Sequence, residues 1–520
     1  MSASRLGTRI LRRRPLVGCL ATALALAAGL VAADGIAHAG TSVADPLARA
    51  RGHAPPDRPD WWKVPDPAEI ALRWQPAPHP LPEVPANSIV VQNCNDSGAG
   101  SLRQALTDAN SGDTIDLTQL SCSSITLTTG SILFTQTSIT LQGPGSKYLS
   151  ISGNDAYAPL LHNGTGTLYI NDLTVEHGMK YFTDAQIDDA RGGCIFSAGS
   201  VFLSDSVVSY CVANETNSSY EAKGGAIYGQ AGVTVSNSAV TNSSAIGTLA
   251  FSIGGGIYSP GFIDVSDSFI AGNYAGSDGG GLYAYNGLTV KYSTLTENSA
   301  NYYCGGFCAR GNVTVTNSTI SNNQARIEQG GGFLLGLGAT TPLTILSSTI
   351  SGNNATFYGG VTVQGYDARI ANSTIAFNYE HTNGKYGAGL SIEAANVDLE
   401  STIIGNNSYA GGSSPDDVGG TSGSTISGAN NLIGYSSIAT PSDTILLQSP
   451  MLGPLAYNGG TTKTHMIQSG SPAIDAGNDA ANVSFDQRGS GFPREIGAAA
   501  DIGAYELDTD DVIFANGFDP

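Results

Sequence analysis

Residues 279–298 read Gly-Gly-Gly-Leu-Tyr-Ala-Tyr-Asn-Gly-Leu-Thr-Val-Lys-Tyr-Ser-Thr-Leu-Thr-Glu-Asn. Three short apolar stretches, Leu282-Tyr283-Ala284, Leu288-Thr289-Val290 and Ser293-Thr294-Leu295, are separated by glycine and polar corners. Each is too short to present a helical face, and alternation with period two marks a strand. The same pattern recurs on both sides. Its opening returns as Gly192-Gly193-Cys194-Ile195, Gly224-Gly225-Ala226-Ile227, Gly254-Gly255-Gly256-Ile257, Gly305-Gly306-Phe307, Gly330-Gly331-Gly332-Phe333, Gly359-Gly360-Val361 and Gly387-Ala388-Gly389-Leu390, spaced about 25 to 32 residues apart. Its close returns as Ser318-Thr319-Ile320, Ser348-Thr349-Ile350, Ser373-Thr374-Ile375 and Ser401-Thr402-Ile403.

Five residues after each opening serine of that close stands an asparagine: Asn273, Asn298, Asn323, Asn353, Asn378 and Asn406. One unit of three short strands cannot bury its own apolar side, whereas units stacked at the inter-strand spacing of about 4.8 Å make a continuous core. Glycine and asparagine suit corners where the backbone takes positive φ. Asparagine at one repeated place lets side-chain amides hydrogen-bond along the stack. The Leu-x-x-Leu-x-Leu frame of leucine-rich repeats is missing, and the units are shorter than the roughly 40 residues of a propeller blade. The pattern predicts an all-β, right-handed parallel β-helix of the pectin-lyase-like class.

Such a stack needs lids, because an open end exposes unpaired backbone groups. Ser101–Asn110 predicts a short amphipathic helix with Leu102, Ala105, Leu106 and Ala109 on one face. Strands are expected at 114–117, 125–127, 132–134 and 139–141. After about 410 the rhythm fades, and a segment with a different composition runs to 507. There Asp475, Asp486, Arg488, Arg494, Asp501 and Glu506 predict Arg–carboxylate pairs that lock a small C-terminal cap onto the last rung. The expected organisation is an export signal (1–39), a Pro-rich linker (40–87), the β-helix with its N-terminal cap (88–410), the β-helix end and cap (411–507) and a tail (508–520).

The beginning of the chain carries Arg5, Arg9, Arg12, Arg13 and Arg14, then an apolar run from Leu16 to Ala33, then Ala37-His38-Ala39. That is the form of a secretory signal cleaved after about Ala39. No later stretch is long and apolar enough to predict a membrane span. All three tryptophans, Trp61, Trp62 and Trp74, fall in the linker, where packing on the body is expected ahead of sugar binding. The chain has a formal charge of −20, which argues against nucleic acid and anionic lipid as partners, since both are polyanions. In an exported chain Cys94, Cys122, Cys194, Cys211, Cys304 and Cys308 are disulfide candidates. The sequence leaves their pairing open, and local pairs 94–122, 194–211 and 304–308 are expected.

Asn95-Asp96-Ser97-Gly98-Ala99-Gly100-Ser101-Leu102-Arg103-Gln104-Ala105, followed by Gly112-Asp113-Thr114-Ile115, resembles the N-terminal cap of bacterial surface β-helix proteins that carry a CSLREA-type domain. The Gly-Gly-Ala-Ile-Tyr and Gly-Gly-Gly-Ile-Tyr repeats resemble those of polymorphic outer-membrane proteins. Gly470-Ser471-Pro472-Ala473-Ile474-Asp475-Ala476-Gly477, with Asp486-Gln487-Arg488-Gly489, Pro493-Arg494 and Asp501-Ile502-Gly503-Ala504-Tyr505-Glu506, resembles a choice-of-anchor Q region. The resemblance spans about 88–507 and implies an exported, often surface-held protein. One departure is the lack of a cysteine directly before Ser101-Leu102-Arg103, which leaves Cys94 to tie the cap. The end, 511–520, resembles a short tail of exported Gram-negative proteins and reads equally well as an unstructured tail.

Fold does not decide chemistry. Residues just before the Gly-rich strands should stack on one edge: Lys223, Asp278, Tyr303, Glu328 and Lys385. Asp278 and Glu328, two rungs apart at about 9–10 Å, are the candidate catalytic pair for a glycoside hydrolase, which needs carboxylates about 5–10 Å apart; a lyase would add a basic residue and calcium. Solvated loop charge is the competing reading. The segments near 177–191, 214–223 and 408–424 are the candidate walls of a cleft. His177, His381 and the Asp416-Asp417 pair form no recognisable catalytic or metal motif, so no metal site is predicted and calcium is the one cofactor left open. The leading expectation is a non-catalytic monomer at the cell surface or secreted, making contact with polysaccharide or host surface components or serving structural display. A polysaccharide lyase or hydrolase on the same scaffold is the alternative, and an autotransporter-like passenger the third.

Overall fold

The computed structural model describes residues 88–182, 189–215, 220–247, 251–335, 342–365, 367–382, 386–409 and 414–508. The expected signal, the linker with its tryptophans, Lys385 and residues 509–520 lie outside the described residues. The chain coils as a right-handed parallel β-solenoid whose strands stack into four long sheets of 11, 13, 13 and 10 strands among the described residues, parallel except where Ser414–Pro415 ends the last of them antiparallel. One rung shows the path: Leu282–Ala284 in sheet 1, Leu288–Lys291 in sheet 2, Thr294–Thr296 in sheet 3 and Ser299–Ala300 in sheet 4. The next rung lies in register with it, Leu282 on Phe307, Val290 on Val315, Leu295 on Ile320 and Ala300 on Ala325.

Alternation puts these paired residues inside, where Leu282, Val290, Leu295 and their partners Phe307, Val315 and Ile320 are fully buried in one continuous core. The corners are tight because single residues take left-handed φ: Tyr292 (47°) between sheets 2 and 3, Glu297 (58°) between sheets 3 and 4, and Gly279 (68°) before sheet 1. At Gly280 the constraint is space, since a Cβ there would strike the carbonyl oxygen of Gly305 in the next rung. Thus the first glycine of the repeated opening supplies a conformation and the second a close approach.

The Ser-Thr-Ile motif divides three ways. Ser318 Oγ accepts the backbone N–H of Ser293 at 3.1 Å, and Ser318 N–H donates to Ser348 Oγ at 3.2 Å, so the serines form a buried ladder along one corner. Thr319 points outward and Ile320 into the core. The asparagines make a second ladder. Asn273, Asn298, Asn323 and Asn353 each donate Nδ2–H to the Oδ1 of the next asparagine at 2.9–3.0 Å. From Asn378 the bond goes to Asn407 at 2.9 Å rather than to Asn406. In this rung the corner ladder is carried by Thr402, not Ser401, so the offset of five leads to Asn407; Asn406 takes the left-handed corner (φ 62°) that Glu297 and Asn322 take elsewhere. The ladder ends on the buried Asp417, whose Oδ1 accepts from Asn407 Nδ2 at 2.8 Å.

Leu102–Asp108 is the expected helix, with Leu102, Ala105 and Leu106 buried on the first rungs and Ser101 Oγ accepting from Gln104 N–H at 3.2 Å as N-cap. Disulfides join Cys94 to Cys122, Cys194 to Cys211 and Cys304 to Cys308, at Cα separations of 6.5, 5.4 and 5.3 Å. The solenoid runs past 410 through Val418–Gly420, Thr425–Ala429 and Leu432–Ile433 to Ile445–Leu446.

The C-terminal segment departs from expectation. Instead of capping the last rung it turns back along the outer side of sheet 3. Thr319 Oγ1 donates to Lys463 O at 2.6 Å, Thr349 Oγ1 to Gln487 Oε1 at 2.6 Å, Ser401 Oγ to Asn478 O at 2.8 Å, and Thr374 Oγ1 accepts Ala504 N–H at 3.1 Å. The outward threonines of the repeat are therefore a docking strip, which is the physical reason for the location. Within the segment the charges do pair: Arg488 meets Asp486 at 2.8 Å between the rings of Phe492 and Tyr505, and Arg494 meets Glu506 at 3.2 Å. No helix of the described residues is long and apolar enough to cross a membrane.

Candidate functional site

The outward side of sheet 1 and its border with sheet 4 collect most of the chemistry. On three successive rungs a short strand follows the one in sheet 4, Ala190–Arg191 after Met179–Phe182, Ala222–Lys223 after Val212–Glu215 and Ser252–Ile253 after Ser244–Gly247, and these three pair into a small parallel sheet of their own. Ala190, Ala213, Ala222 and Ala245 pack between them, because only small side chains allow the strands to lie so close. The segments expected as cleft walls, near 177–191, 214–223 and 408–424, fall partly outside the described residues. On the next rung only Gly276 and Ser277 separate Tyr274–Ala275 from Asp278, so the border drops in a step.

One residue per rung lines this border. Ile253 pairs with Lys223 above and Asp278 below, and Gly279 N–H donates to Tyr303 O at 3.0 Å. The next position is Gln329, not Glu328. Counting four residues back from the inward anchors Leu282, Phe307 and Phe333 gives Asp278, Tyr303 and Gln329; the strand Gln324–Gln329 carries an irregularity in register that moves Glu328 off the line. Asp278 and Glu328 therefore do not form the stacked pair expected, although both negative charges, together with burial as the larger cause, raise the Tyr303 phenol.

Burial pushes Asp278 up to about 6, against hydrogen bonds from Ser277 Oγ (2.9 Å) and Tyr303 N–H (3.4 Å) and the charge of Arg310. Arg310 lies over the Tyr285 ring at 4.5 Å and hydrogen-bonds Tyr283. The step thus unites a carboxyl that titrates near neutrality, a guanidinium and four tyrosines: Tyr283, Tyr285, Tyr302 and Tyr303. Tyr285 and Tyr302 are 48% and 44% exposed. Lys223 is unsuited to act as a base: burial disfavours its charge, but Asp189 at 2.9 Å and Glu221 at 2.6 Å hold its ammonium above the ordinary value.

Down the middle of the outer side of sheet 1 runs a column that changes character. Phe196, Tyr228, Tyr258 and Tyr283 stack ring on ring at 5.4–5.8 Å, with the Cys304–Cys308 bridge packed at their foot. Further on, the same column holds Thr362, Ser391 and Gly419. Sequence reasoning missed this half; the signal was the run of tyrosines after the glycines and its replacement by small residues from Val361 onward. His177 pairs with Asp155 at 3.1 Å away from this border. Among the described residues no three His, Cys, Asp or Glu side chains converge to hold a metal ion.

The chain matches no family model and no curated protein. Among solved structures it is similar to a pectate lyase, Pel9A, at 15% identity and a TM-score of 0.38, over 82% of this chain and 98% of that one. It is also similar to an alginate lyase of the PL6 family, AlyGC, at 12% identity and a TM-score of 0.34, over 73% of this chain and 56% of that one. The class of the fold, an all-β parallel solenoid, rests on the strand order of the chain itself.

Proposed function

We propose that the protein is an exported β-helix that contacts polysaccharide along the border of sheet 1 without cleaving it, serving adhesion or display at or beyond the cell surface. The observation that carries this reading is the step, where exposed Tyr285 and Tyr302 flank Arg310 and Asp278. Aromatic rings offer flat apolar faces to sugar C–H groups, while the charged pair supplies donors and acceptors for hydroxyls. Rungs about 4.8 Å apart repeat on the scale of one sugar unit in an extended chain, so neighbouring rungs can meet neighbouring units. Export is supported by the Arg-rich, Ala/Leu-rich start of the chain and by three disulfides, which belong to oxidising compartments. The likeness of residues 470–506 to an anchor region supports surface presentation.

A second reading, a lyase or hydrolase, draws on Asp278, because a carboxyl titrating near 6 can both give and take a proton at neutral pH. A glycan array combined with a depolymerisation assay, with and without calcium, separates the two. Binding with no new reducing ends and no unsaturated products is the expected result. Product formation that disappears in Asp278→Asn would establish the enzyme instead, and a chain that retains no polysaccharide at all would refute both.

A further inference from the structure

The two ends of the solenoid are finished differently. At the first, Leu102, Ala105 and Leu106 of the helix Leu102–Asp108 close the core, each 5% exposed or less. At the last, the segment expected as a lid lies along sheet 3 instead, and the inward line of side chains runs into the open. In sheet 3 Ile404 and Ile433 are fully buried, whereas Leu446, in register beneath Ile433, is 41% exposed and Leu447 beside it 78%. In sheet 2 Val397 and Leu399 are fully buried; beneath them stand Ile426, half-buried, and Gly428, which has no side chain to fill the place. Tyr435, 39% exposed, belongs to the same last turn, next to Ser436 in its bridge to Val418.

The backbone is open there as well. Among the described residues no strand lies beyond Thr425–Ala429 in sheet 2 or Ile445–Leu446 in sheet 3. Thr425 N–H donates to Ala395 O of the preceding rung at 3.1 Å, so alternation aims the Ile426 N–H and carbonyl away from that rung. An edge of this kind pairs readily with another chain, and proteins usually blunt it with charged side chains. Here it is left unblunted. Between Asp417 and Lys463 the sequence has a single charged residue, Asp443, whose carboxylate accepts Asn430 N–H at 2.9 Å. In a chain of formal charge −20, a face with so little charge is one on which two copies meet without strong repulsion.

We infer that this end is an interface with a second copy of the chain, the two solenoids meeting end to end about a twofold axis, in place of the monomer expected from the sequence. The axis sets the two Thr425–Ala429 strands antiparallel, which pairs the open backbone groups of both and leaves neither edge free. It also buries Leu446, Leu447 and Tyr435 between the copies and completes the last layer of each core. A second copy brings the same unblunted edge and the same nearly uncharged face. An isologous contact of this kind closes both ends at once and does not propagate into fibres.

The test is sedimentation of the full exported chain over a wide range of concentration, with hydrogen exchange followed at 425–429 and 445–447. The variants are Leu447→Lys and Tyr435→Lys, each checked for an unchanged unfolding midpoint. Leu133→Lys, at a residue 61% exposed on the first strand of sheet 1, is the comparison at the other end. The expected result is a monomer–dimer equilibrium in which exchange at 425–429 slows as the dimer forms. Leu447→Lys should weaken it at least about tenfold and Tyr435→Lys about threefold or more, because a lysine there brings two unpaired charges into a closed contact. Leu133→Lys should leave it unchanged. A chain that stays monomeric at every concentration, or a dimer that Leu133→Lys weakens as much as Leu447→Lys, overturns the interface. So does a chain stopped after Asp508 that dimerises where the full chain does not, since residues beyond 508 would then occupy the end instead of a second copy.

Discussion

The solenoid and the segment folded along its flank satisfy their buried polar groups in opposite ways. In the solenoid successive rungs repeat the same neutral devices, an asparagine amide bonded to the next asparagine and a serine hydroxyl bonded to the next backbone N–H. In 452–507 nothing repeats, and buried charge takes their place. Arg488 and Arg494 stand against Asp486, Asp501 and Glu506, all in contact with one another or with backbone. Repetition lets one solution be copied from turn to turn. A single docked segment has no neighbour to copy from and needs strong, directional, individually placed pairs. The difference predicts that the flank comes away as a separate layer, while the solenoid fails as a stack.

The sharpest way to break this contrast is at Arg494. Its guanidinium bridges Glu506, Asp501 O and Asn372 Oδ1, the last of these in the solenoid. Arg494→Ala leaves buried carboxylates uncompensated and should cost about 3–5 kcal/mol. Limited proteolysis should release the flank segment while far-ultraviolet circular dichroism keeps its β signal. Next in size is the core of the stack: Ile320→Ala, fully buried, should lower stability by about 2–5 kcal/mol, seen as a shift in the urea midpoint of the whole transition. A smaller effect discriminates two adjacent residues. Asn407→Ala removes a ladder member and should cost about 1–3 kcal/mol, whereas Asn406→Gly, at a left-handed corner, should change stability by less than about 1 kcal/mol.

The pH dependence should also differ between the two regions. Burial foremost, and the charge of Asp501, push Glu506 up to about 8. A carboxyl raised in the folded state favours the folded, protonated form. Its contribution is complete below its ordinary value of about 4.5 and is lost as pH rises through about 8. Flank release should therefore become easier as pH rises from about 4.5 to about 8, and Glu506→Gln should flatten that profile. In the asparagine ladder the group that titrates in this range is its end, Asp417, which burial pushes up to about 6.

How much of this was legible follows from the same contrast. The rungs, their inward residues and the asparagine ladder can be read from the chain because one rule serves turn after turn. The rule slipped only where a turn changes its count, at Thr402 and Asn407 and at the extra residue before Gln329. The helix at Leu102–Asp108 was legible from its apolar spacing and its serine cap. Where the charged segment docks was not, since the threonines that receive it look, in sequence, like any outward position of a strand. The candidate site was partly visible. Asp278 stood out, but Tyr285 and Arg310 lie together only because residues about 25 apart in sequence become neighbours across rungs.

The measurement that bears most directly on function is a hydrogen-exchange footprint of the full chain saturated with the polysaccharide it binds best. Protection confined to peptides covering 274–285 and 299–310, on the border of sheet 1, is the expected result. Protection on the sheet 3 flank and the 452–507 segment, with the sheet 1 border unchanged, would contradict it.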